Sequence, residues 1–255
     1  MNVLSIVGAC GGTGSTTLAA HVAAGIARQG VAVVAFDFSP ANALRLHFGM
    51  PWEDRSGLAS SWLAGEAWND AAWHSALGID FLPYGDPGDD GINTFETSFA
   101  RPEHADWFDA SIDALDMQEH GWIVSDVPWP FTPLRRQVLA RSTAVLIVLA
   151  PDAASCARAT SLPARLPSSS SAKVHFVING YDARRTLDHD MLHWMRTRLQ
   201  DRLLPQQIHR DEAVREALAA RQTVYDYASS SQAAADLLHL SAWLHNHCQS
   251  APAAR

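Results

Sequence analysis

The chain has 255 residues, with 19 Lys plus Arg against 27 Asp plus Glu and a formal charge of −8. An apolar fraction of 47% with 18% charged residues excludes disorder as the main state. The acidic balance weighs against nucleic acid as a partner, because a protein that grips phosphates needs many cations.

No run of 18 apolar residues offers a membrane span, so no direct membrane anchor is expected. The first residues lack the basic start and apolar stretch of a secretory signal. Cys10, Cys156 and Cys248 are scattered and odd in number, which is no disulfide framework. A reducing, cytoplasmic setting is therefore expected. Lys173 is the only lysine, so a function that needs a lysine elsewhere is excluded.

In chain order, Val3 to Val7 reads as a buried strand that runs into glycines. Thr16 to Arg28 reads as a helix, with Leu18, Val22 and Ile26 four apart and Gly30 just past its end. Val31 to Phe36 is a second strand, and Ala41 to Phe48 a short helix. A Trp- and Ala-rich helical stretch covers Leu58 to Trp73. Ile79 to Tyr84 is a strand and Gly85 to Asn93 an acidic, turn-rich loop. Glu103 to Met117 is helical, Trp122 to Ser125 a strand and Pro133 to Ala140 a helix. Ala144 to Leu149 is the most apolar strand, followed by a helix over Ala154 to Leu162. Val174 to Ile178 is a strand, Asp188 to Gln200 a helix and Leu203 to Ile208 a strand. Asp211 to Ala220 and Gln232 to His247 are helices.

Single apolar strands alternating with helices predict an α/β fold, a mostly parallel central sheet with helices on both faces. One domain is expected over residues 1–248, with 249–255 as a flexible tail. Ligands of such sheets bind beyond the carboxyl ends of the strands.

At the first of those ends stands Gly8-Ala9-Cys10-Gly11-Gly12-Thr13-Gly14-Ser15-Thr16-Thr17. Strand, glycine loop and helix in succession suit phosphate, because glycines let N–H groups turn inward and the helix end adds positive charge. A tight structural turn is the plain alternative. Thr16 sits where a hydroxyl would meet Mg²⁺. Two strands end in acids, Asp37 and Asp126, which suit a hard cation or else a helix cap. Asn179 closes another strand. Its amide can donate and accept at once, as an adenine edge requires, although Asn179-Gly180 is also a turn signal. Asp211 could cap the helix that follows it. Trp129 could be a docking anchor or a packed ring. The twelve histidines show no metal spacing.

The loop resembles the deviant Walker A motif of the ParA/MinD family of P-loop NTPases (SIMIBI class), K-G-G-x-G-K-[ST]-[ST]. Gly11, Gly12, Gly14, Thr16 and Thr17 match, with Thr13 and Ser15 between them. Cys10 and Ser15 stand where the family has its two lysines. Asp37-Phe38-Ser39-Pro40 resembles the first switch, with Ser39 at the place of an acid. Asp126-Val127-Pro128 resembles the second switch. Phe176 to Asn179 and Ile208-His209-Arg210-Asp211-Glu212 resemble the segments that hold the base.

The similarity is closer to the BcsQ branch, through the lysine-free loop, Asn42-Ala43-Leu44-Arg45-Leu46, and Leu203 to Ala213. That resemblance implies ATP and Mg²⁺ as cofactors. It places the nucleotide on Gly11 to Thr17, Asn179, Ile208, Arg210 and Asp211, and the metal on Thr16, Asp37 and Asp126. It also implies a homodimer across the nucleotide that assembles or regulates the bacterial cellulose synthase and secretion complex. The implied partners are synthase subunits, small regulatory proteins of that machine and a cyclic-di-GMP-binding protein, with recruitment to the inner membrane through the complex.

Phosphoryl transfer rests on positioned charge. The loss of two lysines and an acid therefore predicts weak or absent hydrolysis, with no catalytic residue assigned. Arg158 is the first candidate to replace the missing charge, although a surface ion pair is its plainer use. The competing functions are an active ParA-like partitioning or positioning ATPase and a degenerate P-loop protein with an empty site.

Overall fold

A computed structural model describes residues 1–117 and 120–249. In chain order the elements are β1 (Asn2–Gly8), α1 (Ser15–Ala27), β2 (Val33–Asp37), α2 (Leu44–His47), α3 (Leu58–Ala64), β3 (Trp73–His74), β4 (Asp80–Leu82), α4 (Gly88–Ser98), α5 (Trp107–Asp113), β5 (Trp122–Asp126), α6 (Pro133–Arg141), β6 (Ala144–Leu149), α7 (Ala153–Ser161), β7 (Lys173–Tyr181), α8 (Thr186–Leu199), β8 (Leu203–His209), α9 (Ala213–Ala219), α10 (Val224–Tyr227) and α11 (Gln232–His247). The strands form one sheet in the order β3-β4-β2-β5-β1-β6-β7-β8. Every pairing is parallel except β3 with β4. The expected α/β architecture is thus present.

Helices cover both faces, so the central strands are apolar throughout rather than alternating. Along β6, Val145, Ile147 and Leu149 enter one core and Ala144, Leu146 and Val148 the other. The second core lies under α1 and α11, which pack on each other and carry Leu18, Val22, Ile26, Leu237, Leu240 and Leu244. Rows of threes and fours on each helix make that seam.

Three stretches depart from the sequence expectations. The segment read as an acidic loop at Gly85 to Asn93 turns helical at Gly88, and α4 continues to Ser98. Asp89 and Asp90 lie in its first turn, where carboxylates suit the helix dipole. Phe95 is buried on its inner side. The long helix expected over Glu103 to Met117 is a 3-10 turn at Pro102–His104 followed by the short α5. The helical stretch expected from Leu58 to Trp73 ends at Ala64, because Gly65 takes a left-handed φ of 73° as its C-cap. Trp73 then joins the antiparallel edge strand β3. The tail read as flexible beyond Gln249 lies outside the described residues.

A buried histidine ties α1 to the C-terminal helices. The Val224 N–H donates to His21 Nε2 at 2.9 Å. Nδ1 therefore carries the proton and donates to the Thr17 carbonyl at 2.7 Å. His47 and Tyr225 pack edge-on against the ring. Burial lowers the His21 pKa to about 4, and burial together with His21 holds His47 well below the ordinary value. Above pH 6.5 the ring is neutral folded or unfolded and carries no penalty. As pH falls from 6.5 through 4 the unfolded chain takes up the proton first, and stability drops. The expected loss from His21 is about 3 kcal/mol. Melting curves from pH 7.5 to 4 should show a shallower acid decline for His21→Gln than for the parent, from a lower starting stability.

Candidate functional site

The glycine loop leaves the carboxyl end of β1, between β5 and β6, where the strand order reverses. Gly14 opens α1 with φ 86°, and a Cβ there would lie 2.3 Å from Asn179 Nδ2. Only glycine permits both the conformation and the approach. Asn179 donates from Nδ2 to the Thr13 carbonyl at 2.7 Å, which pins the loop to β7. The turn reading of Asn179-Gly180 is set aside, because both residues lie within β7 at a register irregularity against β8.

Three cavities surround the loop, and Gly12 lines all of them. The largest, about 570 Å³, is bounded by Gly8 to Gly12, Ser15, Thr16, Ser39, Ala41, Pro128, Trp129 and Arg158. It brings together the glycine loop, both switch segments and the arginine singled out from sequence. A second, of about 250 Å³, is lined by Thr17, Leu18, Asn179, Ile208, Arg210, Asp211 and Leu237 among others, which unites the predicted base-holding residues. A third, of about 330 Å³, joins Thr13, Asn179 and Arg210 to Asp152 and Arg185, two residues the sequence reading did not select. Asp211 also caps helices. Its Oδ1 accepts from the Ala213 N–H at 3.0 Å and its Oδ2 from the Ala233 N–H at 3.3 Å.

Asp37 and Asp126 end neighbouring parallel strands in direct register. Both are buried. The Thr16 hydroxyl donates to Asp126 Oδ2 at 2.5 Å, while Asp126 Oδ1 is buried with no partner. Burial pushes the Asp126 pKa up to about 6, against the Ser15 and Thr16 hydroxyls that lower it. Burial, then the Asp126 charge, raises Asp37 well above the carboxylate range. Asp37 already accepts from the Ser39 N–H at 2.8 Å and the Leu44 N–H at 3.2 Å. Its oxygens thus shape the first switch, and Asp126 Oδ1 is the free acceptor.

A buried, unpaired carboxylate oxygen beside a hydroxyl fits a hard divalent cation. Mg²⁺ binds through one or two protein oxygens and completes its shell with water and phosphate. Among the described residues no group of three or more His, Cys, Asp or Glu is arranged to hold a metal.

The positions of the missing charges are now concrete. Cys10, Ser15 and Ser39 all line the largest cavity. Lys173 begins β7 beside the first residue of β6, at the amino ends of the parallel strands and so away from the loop at their carboxyl ends. Arg158 donates from Nε to the Ala9 carbonyl at 3.2 Å, and its guanidinium lies 4.8 Å from the centre of the Trp129 ring. Arg165 lies 5.1 Å from the same ring, and Phe131 meets its edge. Trp129 is thus a half-buried, packed ring that holds Arg158 at the cavity wall.

Sequence reading missed Arg135, which joins the segments after β2 and β5 through the Phe38 and Pro130 carbonyls, and its buried ion-pair partner Glu96 on α4. A signal was present. Arg135 shares the inward stripe of α6 with Val138 and Leu139 at spacings of three and four.

The family model described as cellulose biosynthesis protein BcsQ matches residues 1–245. The cellulose biosynthesis protein BcsQ of Salmonella typhi is 32% identical over 247 residues, covering 95% of this chain and 94% of that protein. Among solved structures, the septum site-determining protein MinD from Pyrococcus horikoshii OT3, complexed with Mg-ADP, superposes with a TM-score of 0.76 at 21% identity, over 95% of each chain. The cobyrinic acid a,c-diamide synthase from Mycobacterium smegmatis, with bound ATP analogue and magnesium, gives 0.74 at 18% identity over 97% of this chain and 95% of that one.

The paired carboxylates predict a specific response to substitution. A pKa raised by folding favours stability at low pH and is lost as pH rises through the folded value, here about 6. Asp126→Asn should therefore stabilise the ligand-free protein at pH 8 by roughly 1–3 kcal/mol relative to the parent, and by less at pH 4. Thermal melts at the two pH values check this.

Proposed function

Because this chain belongs to the cellulose biosynthesis protein BcsQ family, we propose that it is an ATP-binding accessory protein that assembles or regulates the bacterial cellulose synthase complex. The observation that carries the nucleotide reading is the unpaired, buried Asp126 Oδ1 beside Thr16 at the mouth of the glycine loop. Nucleotide and magnesium in two structures of the same fold support it. In this reading residues 1–248 form one nucleotide-binding domain. The glycine-loop N–H groups and the N-terminus of α1 hold phosphates, Thr16 and Asp126 hold Mg²⁺, and Asp37 orders the first switch. Asn179, Ile208, Arg210 and Asp211 wall the base pocket. Bound Mg²⁺ supplies the positive charge that a triphosphate needs and that the loop lacks.

The same residues predict slow chemistry. Backbone N–H groups and hydroxyls would hold a triphosphate much alike before and during transfer, and uniform binding does not accelerate a reaction. No side chain at Cys10, Ser15 or Ser39 adds charge as the transition state forms. Arg158, braced on Trp129, is the cation the cavity does offer.

The resemblance of the glycine loop to the ParA/MinD loop implies a twofold dimer with nucleotide at the seam, in which one patch serves twice. Ligand and partner then strengthen each other's binding. Partners from the cellulose machine, and recruitment to the inner membrane through them, belong to the same proposal. Among the described residues no helix is long and apolar enough to cross a membrane.

Calorimetry with Mg-ATP should give a dissociation constant in the range of roughly 1–100 μM. Thr16→Ala should weaken it about tenfold or more through loss of the Mg²⁺-directed hydroxyl. No heat with ATP, ADP or a non-hydrolysable analogue would remove the nucleotide reading. Turnover by the isolated protein should stay well below about 1 per second, the low end for ordinary enzymes. A faster rate abolished by Asp126→Ala would favour the active ATPase alternative. Light scattering over a dilution series should show a larger dimer fraction with Mg-ATP than without. A monomer at every concentration with saturating Mg-ATP would sink the dimer.

A further inference from the structure

Arg135 is 4% exposed, and its guanidinium is shared among three segments. Nε donates to the Phe38 carbonyl at 3.2 Å, in the segment after β2. One terminal nitrogen donates to the Pro130 carbonyl at 2.9 Å, in the segment after β5. The other donates to Glu96 Oε1 on α4 at 2.5 Å. The Tyr84 hydroxyl, at the end of the β4 region, donates to the same Glu96 oxygen at 3.2 Å.

The two carbonyls held by Arg135 adjoin the cavity wall. Ser39 follows Phe38, Trp129 precedes Pro130, and both Ser39 and Trp129 line the largest cavity. Asp37 and Asp126 stand at the roots of the same two segments, and the Arg135 charge lowers the pKa of both.

A buried ion pair is poor evidence of stability, since well-packed apolar side chains of similar volume often serve as well. A buried arginine that holds two carbonyls from different segments fixes their separation, which apolar packing does not do. We propose that Arg135, held by Glu96, is a positioning residue that clamps the two switch segments against each other and so sets the shape of the cavity between them. The clamp ties that cavity to α4, and through Tyr84 to α3, whose Ala59 N–H bonds the Tyr84 carbonyl. Its effect on nucleotide affinity rests on the functional reading above; its effect on the switch segments does not.

The test separates the two. Hydrogen exchange in the nucleotide-free protein reads the amides of Phe38, Ser39, Asn42 and Val127, all of which are hydrogen-bonded. The apolar pair Arg135→Met with Glu96→Leu should keep the melting temperature within about 5 °C of the parent. These amides should nevertheless exchange about tenfold faster, with β1 amides unchanged. Mg-ATP affinity should fall by about tenfold, because the bound geometry must then be selected from a looser ensemble. Arg135→Lys, which keeps charge but not the fork, should loosen at least one segment. If the apolar pair does not fold, Arg135→Lys and Arg135→Gln carry the same readouts.

Switch amides that exchange within about twofold of the parent would overturn the clamp. Looser switches with unchanged Mg-ATP affinity would overturn the claim that the clamp sets the shape of the cavity. If the parent itself binds no nucleotide, the functional reading fails and the exchange rates alone decide the clamp.

Discussion

Two carboxylates lie side by side, out of water, at the ends of adjacent parallel strands. Register places Asp37 opposite Asp126, and helices on both faces seal them in. Burial disfavours the charged form of each and raises both pKa values, and the Asp126 charge raises Asp37 further. The surrounding loops are organised around that conflict. Asp37 is quieted by two backbone N–H groups of the segment it starts, and Asp126 by a hydroxyl from the first turn of α1. A buried arginine supplies the nearest full positive charge from a different direction. One acceptor, Asp126 Oδ1, stays unpaired.

The central sheet was legible because buried parallel strands announce themselves as short apolar runs, as Val3 to Val7 and Ala144 to Leu149 do. The loop was legible because glycines before a helix have few other uses. The region between β2 and β5 was not. Gly85, Pro87 and Gly88 look like a loop, yet Gly88 starts α4 because Phe95 and Phe99 gain burial against Trp62, which outweighs local propensity. Trp73 pairs with Phe81 across a hairpin that Trp and Ala content had disguised as helix. At the site, the acids, hydroxyls and the amide were recognisable singly by where strands end. The Arg135–Glu96 pair was hidden because its partners come from segments 39 and 97 residues away in sequence. No periodicity encodes such a distance.

The absence of lysine from the loop changes how positive charge is delivered. A lysine on a flexible stem brings a mobile point charge to a phosphate. Here the cavity has one arginine, Arg158, fixed by the Ala9 carbonyl and the Trp129 ring, and Arg165 lies against the same ring. Fixed charge favours holding one geometry over following a group as it moves.

The sheet's two borders have a consequence for assembly. One border is β3, only two residues long, and the other is β8, which carries Pro205 in its third position. A two-residue strand offers almost no ladder to extend, and a proline withholds the N–H that an added strand would need. Higher-order structure therefore cannot grow by stitching sheets together edge to edge. Any companion, including another copy of this chain, is steered to the loops beyond the strand ends or to the helical faces.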